Sequence, residues 1–236
     1  MTTLPETTVP LYHTINGPCP YRSEGTWENL SFFMDNLSAE SYEALLNQGF
    51  RRSGCSIYHP VCKNCNMCLP LRVNVHSFQP TRGQRRAWNK NTDIRIEFRP
   101  VSFDDEVFNL YRKYQLQWHN APAPPEKTEF VSFLMESPVS TKMMCYYLNK
   151  QLIGVGWIDK LKTMLSSVYF AFDPDFSSRR PGVFSMLCEI EYARQSGFDW
   201  VYLGYWVEDS PAMKYKSDYQ PAEILIDQTW HPVQSQ

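Results

Sequence analysis

Residues 201–221 read VYLGYWVEDSPAMKYKSDYQP. From Trp200 to Trp206 the chain is aromatic and β-branched with one glycine, which predicts a buried strand. Asp209, Ser210 and Pro211 follow as a helix start, because Ser accepts from early amides at N-cap and Pro at N1 forfeits only an orphan donor. A short helix over 212–219 is expected, stopping before Pro221. A strand feeding a helix N-terminus beside Lys214, Tyr215 and Lys216 suits an anion. A core strand followed by a solvated lysine helix is the plain alternative.

Upstream, residues 94–206 carry a regular alternation. Residues 94–98 read as a strand and 103–118 as a helix burying Phe108, Leu110, Tyr111, Tyr114 and Leu116. A proline-rich loop, NAPAPPE at 120–126, leads to a short helix over 128–135. Residues 143–148, 151–158 and 165–172 read as three strands joined by tight connections, hence a meander. Asp173-Pro174 ends the third. A basic turn through Arg179-Arg180-Pro181-Gly182 opens a helix over 183–196 that Gly197 ends. That order is the order of the acyl-CoA N-acetyltransferase (GNAT) fold. The expected class is therefore α+β, with a GNAT-like domain over 94–236 behind a smaller, basic, cysteine-containing α+β domain over 1–93.

The first 93 residues open with an extended run over 1–18 that holds Pro5, Pro10 and Pro18. A strand over 27–34 and a helix over 39–48, capped by Ser38 and ended by Gly49, follow. Cys62, Cys65 and Cys68 stand two residues apart. Such gaps let thiolates converge on one ion, and Cys19 is the candidate fourth ligand for zinc or an iron–sulfur cluster. Cys55 and His59 are weaker candidates, and a reduced, empty set is the alternative. Residues 71–75 alternate as a strand. Over 81–90, TRGQRRAWNK places Arg82, Arg85, Arg86 and Lys90 on one helical face, suited to phosphates, with Trp88 as a stacking surface.

At 236 residues and 43% hydrophobic the chain has ample material for a core. Net charge is −2, yet residues 51–99 hold ten Lys or Arg against Asp93 and Glu97. That asymmetry points to a polyanionic partner. No apolar run is long enough to span a membrane. The N-terminus has neither the basic nor the apolar region of a signal peptide. Seven cysteines, an odd number, fit a reduced cytoplasmic protein better than a secreted disulfide scaffold. Nothing in the sequence sets an oligomeric state.

Ordered motifs then run through both halves: Cys19-Pro20-Tyr21, Gly49-Phe50-Arg51-Arg52-Ser53-Gly54, Tyr58-His59-Pro60 and the three-cysteine run. They continue with Pro70-Leu71-Arg72-Val73, Gln84-Arg85-Arg86, Ser167-Val168-Tyr169-Phe170 and Phe172-Asp173-Pro174. They end in Tyr202-Leu203-Gly204-Tyr205-Trp206, Lys214-Tyr215-Lys216 and Pro221. Over residues 19–230 the chain resembles the arginyl-tRNA–protein transferase family, closest to its bacterial aspartate/glutamate leucyltransferase branch.

The resemblance implies that leucine or arginine passes from an aminoacyl-tRNA to the N-terminal amine of proteins beginning with Asp or Glu, which marks them for degradation. It implies no cofactor for the transfer. Eukaryotic relatives hold an iron–sulfur cluster on N-terminal cysteines, but Arg22 stands here at the second position of their first motif. The Gly-rich loop expected after His119 is replaced by 120–125, and an Arg-Ser-Leu-Gly turn by Arg179-Arg180-Pro181-Gly182.

The donor ester is already activated, and an α-amine has a pKa of about 7.7–8.0, so positioning and oxyanion stabilisation could supply most of the rate. A fixed cation should read the acceptor's carboxylate: Lys214 first, Arg85 or Arg86 second. Tyr169, Tyr205 and Tyr215 are candidate polar walls or oxyanion donors, and Asp173 either orients the amine or caps its turn. Arg51, Arg52, Arg85, Arg86, Tyr215 and Lys216 are candidate substrate contacts, with the basic segment 51–90 holding the acceptor stem. Cys145 and Cys188 read as packing residues. Two rival readings stay open: an acetyl-CoA-dependent N-acetyltransferase, and a non-catalytic zinc-ribbon RNA-binding protein.

Overall fold

The aromatic run at Trp200–Trp206 forms a strand over those residues, with neighbours on both sides. The computed structural model describes residues 9–233, so the first eight residues of the expected extended run lie outside it. In chain order its elements are β1 (Tyr12–Pro18), β2 (Thr26–Phe33), α1 (Ala39–Leu46), β3 (Arg51–Ser53), β4 (Ser56–Pro60), β5 (Leu69–Asn74), α2 (Arg82–Lys90) and β6 (Arg95–Pro100). They continue as α3 (Asp105–Gln117), α4 (Lys127–Phe130), β7 (Thr141–Leu148), β8 (Gln151–Lys160), β9 (Met164–Phe172), α5 (Pro181–Gln195), β10 (Trp200–Trp206), β11 (Ala222–Ile226) and β12 (Thr229–Pro232).

Two sheets result. The smaller runs β1-β2-β4-β3 and the larger β12-β11-β5-β10-β9-β8-β7-β6. Every pairing among the described residues is antiparallel except β9 with β10. Parallel neighbours need a crossover, and α5 provides it. This is the expected strand–helix–meander–helix–strand order of the α+β, GNAT-like class.

The period of two sorts side chains between layers. Met144 and Tyr146 of β7 join Phe184, Leu187 and Ile190 of α5 on one face. Met143 and Cys145 join Val107, Leu110, Tyr111 and Phe130 of α3 and α4 on the other. A third cluster welds the sheets together, with Phe32, Tyr42, Leu46 and Ile57 against Met164 and Tyr202. Polar bonds reinforce that joint. Arg52 donates from Nε and Nη2 to the two Asp159 oxygens at 2.7 and 2.6 Å, and Glu43 accepts from Thr163 N and Oγ1.

The large sheet takes in β5, and α2 packs on α5. Two expectations change. Residues 128–135 split into α4 and a π-helical turn, Val131–Met135. The helix over 212–219 does not form. Ser210 is buried and its carbonyl takes the Met213 and Lys214 amides, and only a 3₁₀ turn, Lys214–Asp218, follows. A helix that short needs an apolar face to dock. Here Met213 and Tyr219 are the segment's only side chains in the core, while Lys216 turns inward to strand carbonyls.

Candidate active site at a strand fork

β9 and β10 pair over Met164–Trp200, Leu165–Val201 and Ser166–Tyr202, and no further. Past that point each strand stays paired on its outer side only, β9 with β8 and β10 with β5. The inner edges of this fork would leave backbone carbonyls without partners, and two cations supply them. Arg51 Nη2 donates to Ser167 O at 2.9 Å. Lys216 Nζ donates to Leu203 O at 3.0 Å and Tyr205 O at 2.6 Å.

The local sequence makes room for this. β10 bulges against β5 between Tyr202 and Gly204, and Gly204 sits at φ +77°. A Cβ there would also overlap the Arg51 guanidinium, so glycine is needed twice over. Arg51 is 9% exposed and has one hydrogen bond for a whole guanidinium, with the Tyr202 ring 5.7 Å away. Burial of the Lys216 ammonium, aided by Arg51, brings it down to about 7.

Three of the buried polar atoms left open lie on elements that border the fork, the two hydroxyls on β9 and β10 and the carboxyl on α5. Ser166 Oγ, Tyr202 OH and Glu189 Oε2 are buried without a hydrogen-bond partner among the described residues. Glu189 comes from α5 and is fully buried; its Oε1 accepts from Ser185 Oγ at 3.4 Å. Burial pushes this carboxyl up to about 7, against the pull of Ser167 and Ser185. Buried polar groups are ordinarily satisfied, so open atoms bordering the fork make it a candidate site.

Of the residues singled out from sequence, Arg51 and Lys216 line the fork, and Tyr215 lies within electrostatic reach of Arg51 and Glu189. Tyr205 braces it, donating to Gly49 O at 2.6 Å, so its hydroxyl is already committed. Arg52 is locked on Asp159 in the interior. Tyr169 packs on the α3 face, where its hydroxyl accepts from Gln115 at 2.6 Å. Asp173 caps its turn through Asp175 N at 3.0 Å and pairs with Lys113 at 2.5 Å. Lys214 is exposed, outside the fork.

Arg85 and Arg86 are exposed on α2 together with Arg82. Arg85 reaches the Pro80 carbonyl and lines, with Trp88, a cavity of about 480 Å³. Elsewhere in the basic segment Arg72 is engaged by Glu223, Arg95 by Glu97 and Arg99 by Asp104. The α2 face is therefore the largest cluster of exposed cations that the segment keeps for an external polyanion, with Lys63 standing apart beside the cysteines.

Cys19, Cys62, Cys65 and Cys68 all line one cavity of about 230 Å³ beside Val207, just past β10. Arg22 lies among them and donates to Cys65 Sγ at 3.6 Å, while Cys62 Sγ accepts from Glu28 N at 3.4 Å. Burial and the other three thiols push Cys68 up to about 12. Among the described residues no three His, Cys, Asp or Glu are grouped as ligands would be. With the Arg22 guanidinium inside the set and no such grouping, the cysteines as arranged do not fit zinc or an iron–sulfur cluster.

Sequence reading did not single out Glu189 or the Gly204 bulge. The signal for Glu189 was present. Ser185, Glu189 and Ala193 form an i, i+4, i+8 stripe in a helix buried on nearly every side, so a lone acid in that stripe faces the sheet.

The N-terminus of α5 speaks against a nucleotide pyrophosphate. Pro181 lacks an amide proton, Val183 and Phe184 donate to Arg180 O, and Arg179 and Arg180 are tied to Asp93 and to Gly83 O.

Comparison with known proteins shows the family. Residues 17–86 match the family model described as arginine-tRNA-protein transferase, N terminus, and residues 106–226 its C-terminus counterpart. The aspartate/glutamate leucyltransferase of Saccharophagus degradans is 37% identical, over 93% of this chain and 95% of its own. That of Teredinibacter turnerae is 36% identical, over 93% and 92%. Among solved structures, the C-terminal domain of a putative lysylphosphatidylglycerol synthetase from Agrobacterium fabrum superposes with a TM-score of 0.51 at 12% identity. It covers 86% of this chain and 65% of that one, a likeness of fold.

Proposed function

Because this chain belongs to the arginine-tRNA–protein transferase family, we propose that it carries out aminoacyl transfer at the β9–β10 fork. An aminoacyl-tRNA gives up its amino acid to the N-terminal amine of a protein beginning with Asp or Glu. The relatives' names favour leucine over arginine as the residue moved, and the product is marked for degradation. The setting is the cytoplasm, where charged tRNA is found; among the described residues no helix is long and apolar enough to cross a membrane.

One observation carries the assignment of the site: two cations, the buried Arg51 and the half-buried Lys216, meet at the fork with donors to spare. The acceptor's first side chain is an anion. In a desolvated cleft a charge-assisted bond to these donors outweighs what a neutral side chain offers. Lys216 thus takes the reading role expected of Lys214, since a buried cation discriminates where a solvated one is screened. The exposed arginines of α2 hold the acceptor stem by its phosphates. The ester needs no metal for activation, and no step runs through the cysteines. Catalysis is positioning, plus donors for the oxyanion of the tetrahedral intermediate. The Tyr202 hydroxyl, buried and unpartnered among the described residues, is the donor nearest to hand.

The test is transfer of labelled leucine and labelled arginine, each charged on tRNA, to peptides starting with Asp, Glu or Ala. Leucine should reach the Asp and Glu peptides and spare Ala. Lys216→Met should raise KM for the acidic peptides by tenfold or more and narrow their lead over Ala. Failure to use any charged tRNA would remove the function, and unchanged selectivity in Lys216→Met would remove the lysine's role.

A further inference from the structure

We infer that Glu189, acting through the Ser167 hydroxyl, takes the proton that the attacking amine must lose. This deepens the transfer reading above and rests on it.

The placement of Glu189 has no structural rationale. It is fully buried between Cys188 and Ile190, both in the apolar core. The groups facing it are Tyr146 from β7, Ser167 from β9, Tyr215 and Tyr219 from the segment after β10, and Ser185 and Cys188 from its own helix. That set contains no Lys or Arg, so the carboxyl is without an ion-pair partner among the described residues. Its Oε2 has no hydrogen bond to any of them. A leucine or glutamine would fill the same volume without the cost of a buried acid. An acid in this setting is accounted for by chemistry, not by packing.

Ser167 shows where that chemistry goes. It is the first β9 residue beyond the last β9–β10 pair, so it stands at the crotch of the fork. Its carbonyl takes Arg51 and its side chain faces Glu189. One residue therefore joins the cation proposed to read the acceptor's carboxylate to the buried acid, and an amine held at the fork beside Ser167 has a path to it. When the amine nitrogen attacks, the C–N bond forms and the nitrogen gains positive charge. It passes a proton to Ser167 Oγ as Ser167 passes its own to Glu189. Collapse of the intermediate breaks the ester C–O bond, and the same path, reversed, returns the proton to the departing ribose oxygen. Atoms and charge balance with no further reactant. A carboxyl near neutrality suits both transfers, because it accepts and returns a proton with little loss either way.

The experiment is single-turnover transfer from charged tRNA to an Asp peptide across pH 5.5–9, for wild type, Glu189→Gln and Ser167→Ala. Far-UV circular dichroism and the unfolding midpoint are recorded for each. Both variants should lose about 10²-fold or more in rate with KM for either substrate unchanged. Both should lose the rise in rate near pH 7 and keep only the limb of the peptide's own amine. If Glu189→Gln fails to fold, Ser167→Ala decides by itself, since it leaves the acid in place and cuts the path. A folded variant with the wild-type rate, a wild-type pH profile, or a loss confined to KM would overturn the inference. A wild type that transfers nothing would bring down the transfer reading, and this inference with it.

Discussion

Arg51 and Arg52 are neighbours on β3, and they serve two buried polar regions built on opposite terms. Arg52 closes its region. Two bonds to Asp159, one to Thr141 Oγ1 and one to Gly54 O engage it, and Thr141 and Ser137 complete the network. Arg51, one residue back and on the other side of the strand, reaches a region left open. Around it are a lysine brought down to about 7 and a Tyr202 hydroxyl with nothing to bond among the described residues, and Ser167, whose carbonyl it binds, faces the unpaired acid Glu189. A fully satisfied buried network specifies structure, whereas a partly satisfied one is tolerated only where something else completes it. On the proposed reading, substrate completes the fork.

The largest effect that could break this contrast is on stability. Arg52→Met strands Asp159 as a buried uncompensated charge, and losing one partner of such a pair costs about 3–5 kcal/mol. Glu189→Gln removes an acid that has no partner to strand, so its urea midpoint should stay at or above the wild-type value. Equilibrium urea unfolding of both variants settles the point. If Arg52→Met unfolded at the wild-type midpoint, the two regions would not differ in kind.

A smaller effect sharpens the contrast through pH. Glu189 keeps its proton in the folded state from its ordinary 4.5 up to about 7, where the unfolded chain has already lost it, so stability falls as pH rises across that window. Lys216 has given up its proton above about 7 when folded, while the unfolded chain holds it to 10.5, so stability rises with pH from 7 upward. The two windows meet in a minimum near pH 7. Glu189→Gln combined with Lys216→Met should flatten it, as read from urea midpoints between pH 5 and 9. A wild-type curve with no minimum beyond that of the double variant would show that the fork carries no strained charge.

Much of the fold was legible because its signals are local. Strand β10 and its ends, the Ser38 cap and the Gly197 stop each depend on a few adjacent residues. The site was legible only in outline. Choosing Lys216 over Lys214 requires knowing that 212–219 is a turn, which is decided by Ser210 and Tyr219 packing into the core and not by Pro211. The basic residues from Arg51 to Arg99 look alike along the chain, yet they part company because acids far away in sequence claim some of them. Asp159 claims Arg52, and Glu223 claims Arg72 between Trp200 and Trp230. No local pattern carries that information.

The same sorting yields the smallest effect, one that separates the fork's cations from those of α2. Arg82, Arg85 and Arg86 are exposed along a helix with a capping box at Thr81 and Gln84, so alanine there is well tolerated. Each phosphate contact adds about −0.7 to −0.9 to the slope of log K against log salt concentration. Replacing all three with alanine should therefore shallow the slope for charged tRNA by about 2 to 3, at little cost to turnover once tRNA is saturating. Lys216→Met should leave that slope untouched, because a cation buried against strand carbonyls releases no counterion from a phosphate. Filter binding of charged tRNA from 50 to 300 mM salt distinguishes them. Equal shallowing by both variants would mean that nucleic acid reaches into the fork, and that the acceptor's carboxylate is read elsewhere.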